Sequence, residues 1–224
     1  MNDSPKYYAA YEERYKTAHK NGVSWSSDRS SPIVMEVIRK YGIRPGQALL
    51  EIGCGEGRDA RAVLDAGYGL LATDISPEAI AYCRKAMPRF ANCFRVLDVL
   101  SDDPDARFDF IYAVAVVHML VPDADRDGFY RFIRRHLKPS GLALICAMGD
   151  GVRELYTDIA RAFDLQEREH ESGKMLVAAT SCRMVSFRTF EAELARNGLR
   201  ALEEGVTGAL PDFDSLMYAV AARA

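Results

Sequence analysis

Three glycines at alternate positions, Gly53, Gly55 and Gly57, follow an apolar run in LLEIGCGEGRDA, residues 49–60, with Glu51 ahead of them and Cys54 and Glu56 between them. Glycine weakens a strand interior, so a segment that needed only to pack would not end this way. The pattern suits a strand that passes into a helix through a loop whose backbone meets a ligand, the helix beyond it offering free amides. Two further acids stand at equivalent places. Asp74 ends the run GLLATD, placed to accept hydrogen bonds from both hydroxyls of a ribose, and Asp98 ends VLD, where a carboxylate can meet an exocyclic amine. Singly, Asp74 could cap the helix that opens SPEA and Asp98 could cap a turn. Together with the glycines, Glu51, Asp74 and Asp98 make a row of acids along the carboxyl ends of successive strands, where open α/β sheets bind ligands.

The elements that must hold this row alternate along the chain. Ser-Pro pairs at 4–5 and 31–32 each offer an N-cap followed by proline, and Gly22 and Gly42 supply stops, which predicts helices over about 5–20 and 32–41. Short strands are predicted at QALLEIG, GLLATD, NCFRVLD, FDFIYAVAV and LALICAM. The helices between them are RDARAVLDAGY, SPEAIAYCRKAM and DADRDGFYRFIRRHL, the last closed by a turn at KPSG. Continuous apolar strands rich in β-branched residues are those of a parallel sheet covered on both faces. Between Gly149 and Val185 the charged stretch VRELYTDIARAFDLQEREHESGKM reads as helical and is too long for a simple connection. After the helix TFEAELARNG, two strands, LRALEEGV and SLMYAVAARA, are joined by the turn-rich TGALPDFD without a helix, so they pair antiparallel. The expected fold is α/β, a doubly wound, mostly parallel seven-stranded sheet with an antiparallel final strand. Residues 1–44 form an N-terminal helical lid, 45–224 the ligand-binding domain, and 150–185 an insertion over the substrate.

Composition narrows the function classes. The 224 residues are 49% hydrophobic and 27% charged, as for one domain with a full core, and the formal net charge of −3 favours neither nucleic acid nor an anionic membrane. No apolar run reaches the roughly 20 residues of a membrane span, and the start lacks a signal-peptide apolar region, so the expected compartment is the cytoplasm. Five cysteines without a CxxC pair argue against a disulfide framework and against a zinc site; no metal is expected.

The ensemble resembles the class I S-adenosylmethionine-dependent methyltransferases over roughly residues 45 to 224. EIGCGEG is similar to their glycine motif, ATDIS to their ribose-binding acid, VLDVL to their adenine segment, FDFIYAVAVVHML to the fourth-strand motif and LKPSGLALI to the fifth-strand entry. The resemblance implies S-adenosylmethionine as cofactor. In this reading Glu51 and the Gly53–Gly57 loop with Cys54 and Gly55 pass beneath its methionine part. Asp74 with Ile75 holds the ribose, Asp98 with Val99 the adenine, and the backbone at Ala113, Val114 and Ala115 the amino group. The first acid is Glu where many members have Asp. A narrower resemblance, through GCGEGRDA, LDAGYGLLATDIS and the early YEERYK and GVSW, is to the thiopurine and tellurite-resistance branch, whose members methylate small molecules. There an N-terminal helix and aromatic residues close over the cofactor, which implies such a role for Arg14 and Trp25 toward cofactor and for Tyr11 and Tyr15 toward substrate. An aromatic face holds a sulfonium by cation–π attraction, although the tyrosines equally suit an amphipathic stripe packed on the sheet.

Methyl transfer is a displacement at an activated methyl and depends mainly on positioning, so a base is needed only for a protonated nucleophile. His118 is the candidate base, and His170 and Arg183, in the covering segment, are candidate substrate contacts. A small-molecule acceptor, no nucleic-acid or membrane partner, and a monomer or homodimer are expected. A nicotinamide oxidoreductase would need G-x-G-x-x-G, but Arg58 and Asp59 follow Gly57. A nucleic-acid methyltransferase would show an Asn/Asp-Pro-Pro-aromatic motif where YAVAV stands. An RNA or protein methyltransferase and a non-catalytic cofactor-binding protein stay as alternatives. Arg131, Arg134 and Arg135 read as a solvated helix face.

Overall fold

The computed structural model describes residues 6–170, 172–208 and 215–224. The Ser4-Pro5 cap and most of the TGALPDFD turn lie outside them. A 3-10 turn at Tyr7–Ala10 leads into α1 (Tyr11–Lys20), and α2 (Pro32–Lys40) follows with proline in its first turn. Then come β1 (Ala48–Ile52), α3 (Arg58–Asp65), β2 (Gly69–Asp74), α4 (Pro77–Ala86), β3 (Phe94–Val96), β4 (Phe108–Val114), α5 (Asp123–His136) and β5 (Leu137–Met148). The remainder is β6 (Leu155–Tyr156), β7 (Leu165–His170), β8 (Gly173–Ala178), β9 (Arg183–Met184), α6 (Phe187–Arg196), β10 (Leu199–Thr207) and β11 (Leu216–Arg223).

Seven strands form one sheet in the order β10-β11-β5-β4-β1-β2-β3. β3, β2, β1, β4 and β5 run parallel, and β11 lies antiparallel between β5 and β10. The chain winds outward from β1 through β2 to β3, then returns to the other side of β1 with β4. That reversal makes β1 and β4 the switch point, where an open sheet leaves a crevice beyond its strand ends. Alternating side chains serve two cores. Leu49, Phe110 and Tyr112 face α2, α3 and α4, whereas Leu50, Ile111 and Ala113 face α5 and α6. Between α5 and α6 a fully buried ion pair, Arg126 with Glu193, is bidentate at 2.7 and 2.6 Å and is joined by the Tyr130 hydroxyl. Arg126 also donates to the carbonyls of Val117 and Leu120, so it fixes the turn after β4.

Two local expectations are corrected. The KPSG segment is not a free turn but lies in β5, where the register slips between Phe108–Leu137 and Phe110–Leu142 and the extra residues bulge out. The covering segment is strands rather than helix. β7 and β8 form an antiparallel hairpin, and β6 pairs with β9. The physical reason is periodicity. Met175 and Val177 are buried while Lys174 and Leu176 face out, an alternation of two that suits a strand, and a helix here would have had no apolar stripe. The hairpin packs on α1 rather than on the main sheet: Ala18 lies against Met175 and Val177, and Ala10 against Ala178.

Candidate functional site

The crevice at the switch point opens into a cavity of about 1160 Å³, counting its solvent-open mouth. Its floor is the loop after β1, its sides the tips of β2, β3 and β4, and its roof the N-terminal segment. β1 delivers Glu51 with its side chain buried and accepting from the Tyr112 hydroxyl at 3.0 Å; burial pushes this carboxyl well above the ordinary range. The loop then turns through Gly55, at φ +53°, where a Cβ would lie 2.7 Å from the Tyr15 hydroxyl of the roof. Gly57 is required by the chain's own core instead: its Cβ would meet Met87 at 2.6 Å and the Cys83 sulfur at 2.9 Å.

Asp74 closes β2 and is held by backbone alone. Its Oδ2 accepts from the Gly55 amide at 2.8 Å and its Oδ1 from the Ser76 amide at 2.9 Å. Burial raises its pKa, and the amides of Ser76, Gly55 and Ile75 pull the other way. Ser76 caps α4 by accepting from the Ala79 amide. Asp98, two residues past β3, accepts from the Leu100 amide at 2.9 Å, and its Oδ2 faces Lys6 Nζ at 2.6 Å and the Tyr8 hydroxyl at 3.2 Å. At the tip of β4, Ala115 sits at φ +60°, uncommon for a residue with a Cβ, with its amide bonded to the Cys146 carbonyl at 3.0 Å. That backbone is turned at the cavity wall.

The cavity is therefore lined by most of the residues singled out in the sequence: Glu51, Gly53, Cys54, Gly55, Asp74, Ile75, Asp98, Val99, Val114 and Ala115, under Tyr11, Tyr15 and Trp25. Six others are not among its lining. Gly57 packs into the core, and Ala113 is buried on the α5 face. The Arg14 guanidinium is turned to the covering hairpin, donating to the carbonyls of Ala178 and Ala179 and stacking 4.6 and 4.7 Å from the rings of Tyr11 and Trp25. His170 stacks on Trp25 and bonds the Ser24 carbonyl. Arg183 pairs with Asp123 in a neighbouring depression. His118 is buried behind the wall, where its Nδ1 accepts from the Met148 amide at 3.4 Å and burial pushes its pKa down to about 3.

Glu56 and Asp59 received no role in the sequence reading, and the structure gives them one. Glu56 accepts from the amides of Trp25 and Ser26 at 2.8 and 2.6 Å and contacts His19 Nε2 at 2.8 Å. Asp59 accepts from the Ser31 amide at 2.5 Å and its hydroxyl at 2.7 Å. Glu12 of α1 takes the Ser76 hydroxyl in turn. The glycine loop and the first turn of α3 thus carry Glu56 and Asp59, which fasten the roof over them. A loop acid beside a glycine motif was the available signal, but its partners lie about 30 positions earlier in sequence and no local pattern names them.

Residues 50–143 match the family model described as methyltransferase domain. Over these residues, less than half of the chain, the sequence is similar to that domain. Among curated relatives, a demethylmenaquinone methyltransferase of Tropheryma whipplei is 31% identical over 109 residues, covering 48% of this chain and 44% of the relative. The chain thus spans less than half the length of that relative. Among solved structures, the CcbJ methyltransferase from Streptomyces caelestis aligns over 98% of this chain and 100% of its own at TM-score 0.72 and 14% identity. The 1,6-didemethyltoxoflavin-N1-methyltransferase of Burkholderia thailandensis, with its substrate and S-adenosylhomocysteine bound, aligns over 99% and 92% at TM-score 0.71 and 18% identity. The seven-stranded order and the antiparallel β11 give the chain the fold of these solved structures. Among the described residues no helix is long and apolar enough to cross a membrane.

Proposed function

We propose that the protein binds S-adenosylmethionine in the switch-point cavity and transfers its methyl group to a small-molecule nucleophile. One observation carries this reading: the acids at the tips of β1 and β2 and beyond β3 meet the glycine loop in a single cavity. The donor and acceptor chemistry fits the cofactor. A carboxylate offers about four lone-pair sites; the backbone amides around Asp74 do not use them all, which leaves it able to accept from a ribose diol. Asp98 would take the adenine amine, and the turned backbone at Ala115 the amino-acid end. Bound there, the cofactor supplies a methyl group already activated on a sulfonium.

The chain's own contribution is then positioning and exclusion of water. Tyr11, Tyr15 and Trp25 form an aromatic roof suited to a positive sulfur. The N-terminal roof covers part of the cavity, which suits a compact acceptor better than a polymer. We assign no proton transfer to His118: it stands behind the wall with a pKa near 3, far from the operating range of an effective base.

The test is calorimetry with S-adenosylmethionine and S-adenosylhomocysteine, followed by a screen of thiols, phenols, carboxylates and amines for S-adenosylhomocysteine release. Binding with turnover of at least one small acceptor is expected. Binding without turnover across the screen would favour the non-catalytic reading, and absence of binding would sink the assignment.

A further inference from the structure

At the opposite edge of the sheet from the cavity, six arginines line one depression: Arg107, Arg131, Arg134, Arg135, Arg196 and Arg223. They come from four places in the chain. Arg107 precedes β4, three belong to the last turns of α5, Arg196 ends α6 and Arg223 ends β11. The register fixes the location, since β11 pairs Leu216 with Met148 at the cavity end and Ala222 with Leu142 at the far end. The helix-face reading of Arg131, Arg134 and Arg135 is thus incomplete, because folding adds three more guanidinium groups around them.

Structural uses account for part of the cluster. Arg135 pairs with Asp103 at 2.8 Å and Arg196 with Asp127 at 2.7 Å. Helices α5 and α6 both end here, and each helix C-terminus carries roughly half a negative charge. Two carboxylates and two helix ends offset about half of six positive charges. Asp105, two positions before Arg107, is exposed and makes no ion pair among the described residues. Arg107, Arg131, Arg134 and Arg223 likewise form no ion pair among the described residues. Exposed like charges repel, and a chain of net charge −3 had room to disperse them.

We propose that this depression binds a compact anion carrying two or three phosphate groups. Every basic residue lining it is Arg and none is Lys, and the planar guanidinium fork matches phosphate oxygens in pairs. Four arginines outside any ion pair among the described residues, of which Arg131 lies in the field of Asp127, suit the charge of a pyrophosphate or triphosphate group. The net negative charge of the whole chain disfavours an extended nucleic-acid backbone. The site is separate from the cofactor cavity and does not rest on its assignment.

The experiment is calorimetry at physiological ionic strength with inorganic tripolyphosphate, with ATP, and with a single-stranded RNA of arbitrary sequence, each with S-adenosylhomocysteine present so that adenine cannot report from the cavity. Tripolyphosphate is expected to bind, and the Arg131→Glu/Arg134→Glu variant to lose about tenfold or more in affinity. The Arg107→Gln/Arg223→Gln variant, which leaves α5 untouched, should lose affinity as well. Arg89→Glu, elsewhere on the surface, should change nothing, and S-adenosylhomocysteine affinity should be the same in all variants. Equal affinity for ATP and tripolyphosphate means that phosphate alone is read; tighter ATP adds a nucleoside contact at the same site. No binding of tripolyphosphate, or binding that survives both double substitutions, overturns the proposal. So does tighter binding of RNA than of tripolyphosphate.

Discussion

The floor and the roof of the cavity are held by different kinds of bond. On the floor, Asp74 accepts two backbone amides, and the loop from Gly53 to Gly57 is fixed by strand ends and close packing. In the roof, side chains reach across long sequence distances. Glu12 meets Ser76, Glu56 meets His19 and the amides of Trp25 and Ser26, Tyr7 meets Asp125, and Lys6 meets Asp98. Backbone-fixed acids are available to a ligand without rearrangement, whereas the more exposed stitches of the roof, such as Lys6 with Asp98, are individually weak and reversible. The difference suits a rigid binding floor under a cover that can open.

The largest effect should follow from spoiling the floor where it touches the roof. In Gly55→Val a Cβ is forced at φ +53° and 2.7 Å from the Tyr15 hydroxyl. S-adenosylmethionine affinity should fall about 100-fold or more, combining backbone strain of roughly 1–3 kcal/mol with displacement of the loop. Adding Tyr15→Ala should recover part of the loss, because one of the two causes is removed. Full retention of binding in calorimetry would mean that the loop is not the floor of the ligand site.

Asp74→Asn comes next. The amide keeps an oxygen for one backbone donor but cannot accept from two ribose hydroxyls as well, and it loses the charge assistance of both bonds. Affinity for S-adenosylmethionine should drop about tenfold to 100-fold, with circular dichroism unchanged. Unaltered affinity would remove Asp74 from the cofactor contacts and leave it as a purely structural acceptor.

What was legible in the sequence follows the same division. The row Glu51, Asp74, Asp98 could be read because strand length and a following helix place a residue at a sheet edge from local pattern alone. Helix caps such as Ser76 are local too. The roof was only half legible. Tyr11, Tyr15 and Trp25 suggested a cover by residue type, but Glu56 and Asp59 find their partners through tertiary contacts that no window contains. The β7–β8 hairpin was misread because its charges dominate the composition; Lys174 and Glu167 pair across its strands at 2.6 Å. The alternation of Met175 and Val177 is a signal of only two residues. Of the six arginines, Arg131, Arg134 and Arg135 stand out in the sequence as a helix face, but Arg107, Arg196 and Arg223 join them only through folding, as with Glu56.

A smaller effect concerns pH. Burial raises the Glu51 carboxyl well above its ordinary value near 4.5. A group raised in the folded state contributes its full stability below the ordinary value and loses it as pH climbs toward the folded one. Glu51→Gln, whose side-chain oxygen can still accept from Tyr112, should therefore gain thermal stability over the parent on going from pH 5 to pH 8. The gain should be a few degrees in Tm. A difference in Tm that is constant across that range would show that Glu51 does not titrate differently in the folded protein.

The smallest effect should come from the outermost stitch, Lys6 with Asp98. The ammonium is half exposed, and such pairs contribute about 0–1 kcal/mol. It nevertheless occupies the Asp98 oxygen that the proposed adenine contact would use. Lys6→Met should therefore have two opposed consequences. The roof loosens, so hydrogen exchange over residues 6–10 should quicken without ligand. The freed carboxylate loses a competitor, so S-adenosylmethionine should bind slightly tighter, by less than about fivefold. Because exposed pairs are screened, the difference from the parent should shrink at high salt. Trp25 lines the cavity and offers a fluorescence signal for the titration. A tenfold loss of affinity in Lys6→Met would give the opposite answer: Lys6 would then belong to the binding surface, and the roof would be part of the floor's chemistry rather than a cover over it.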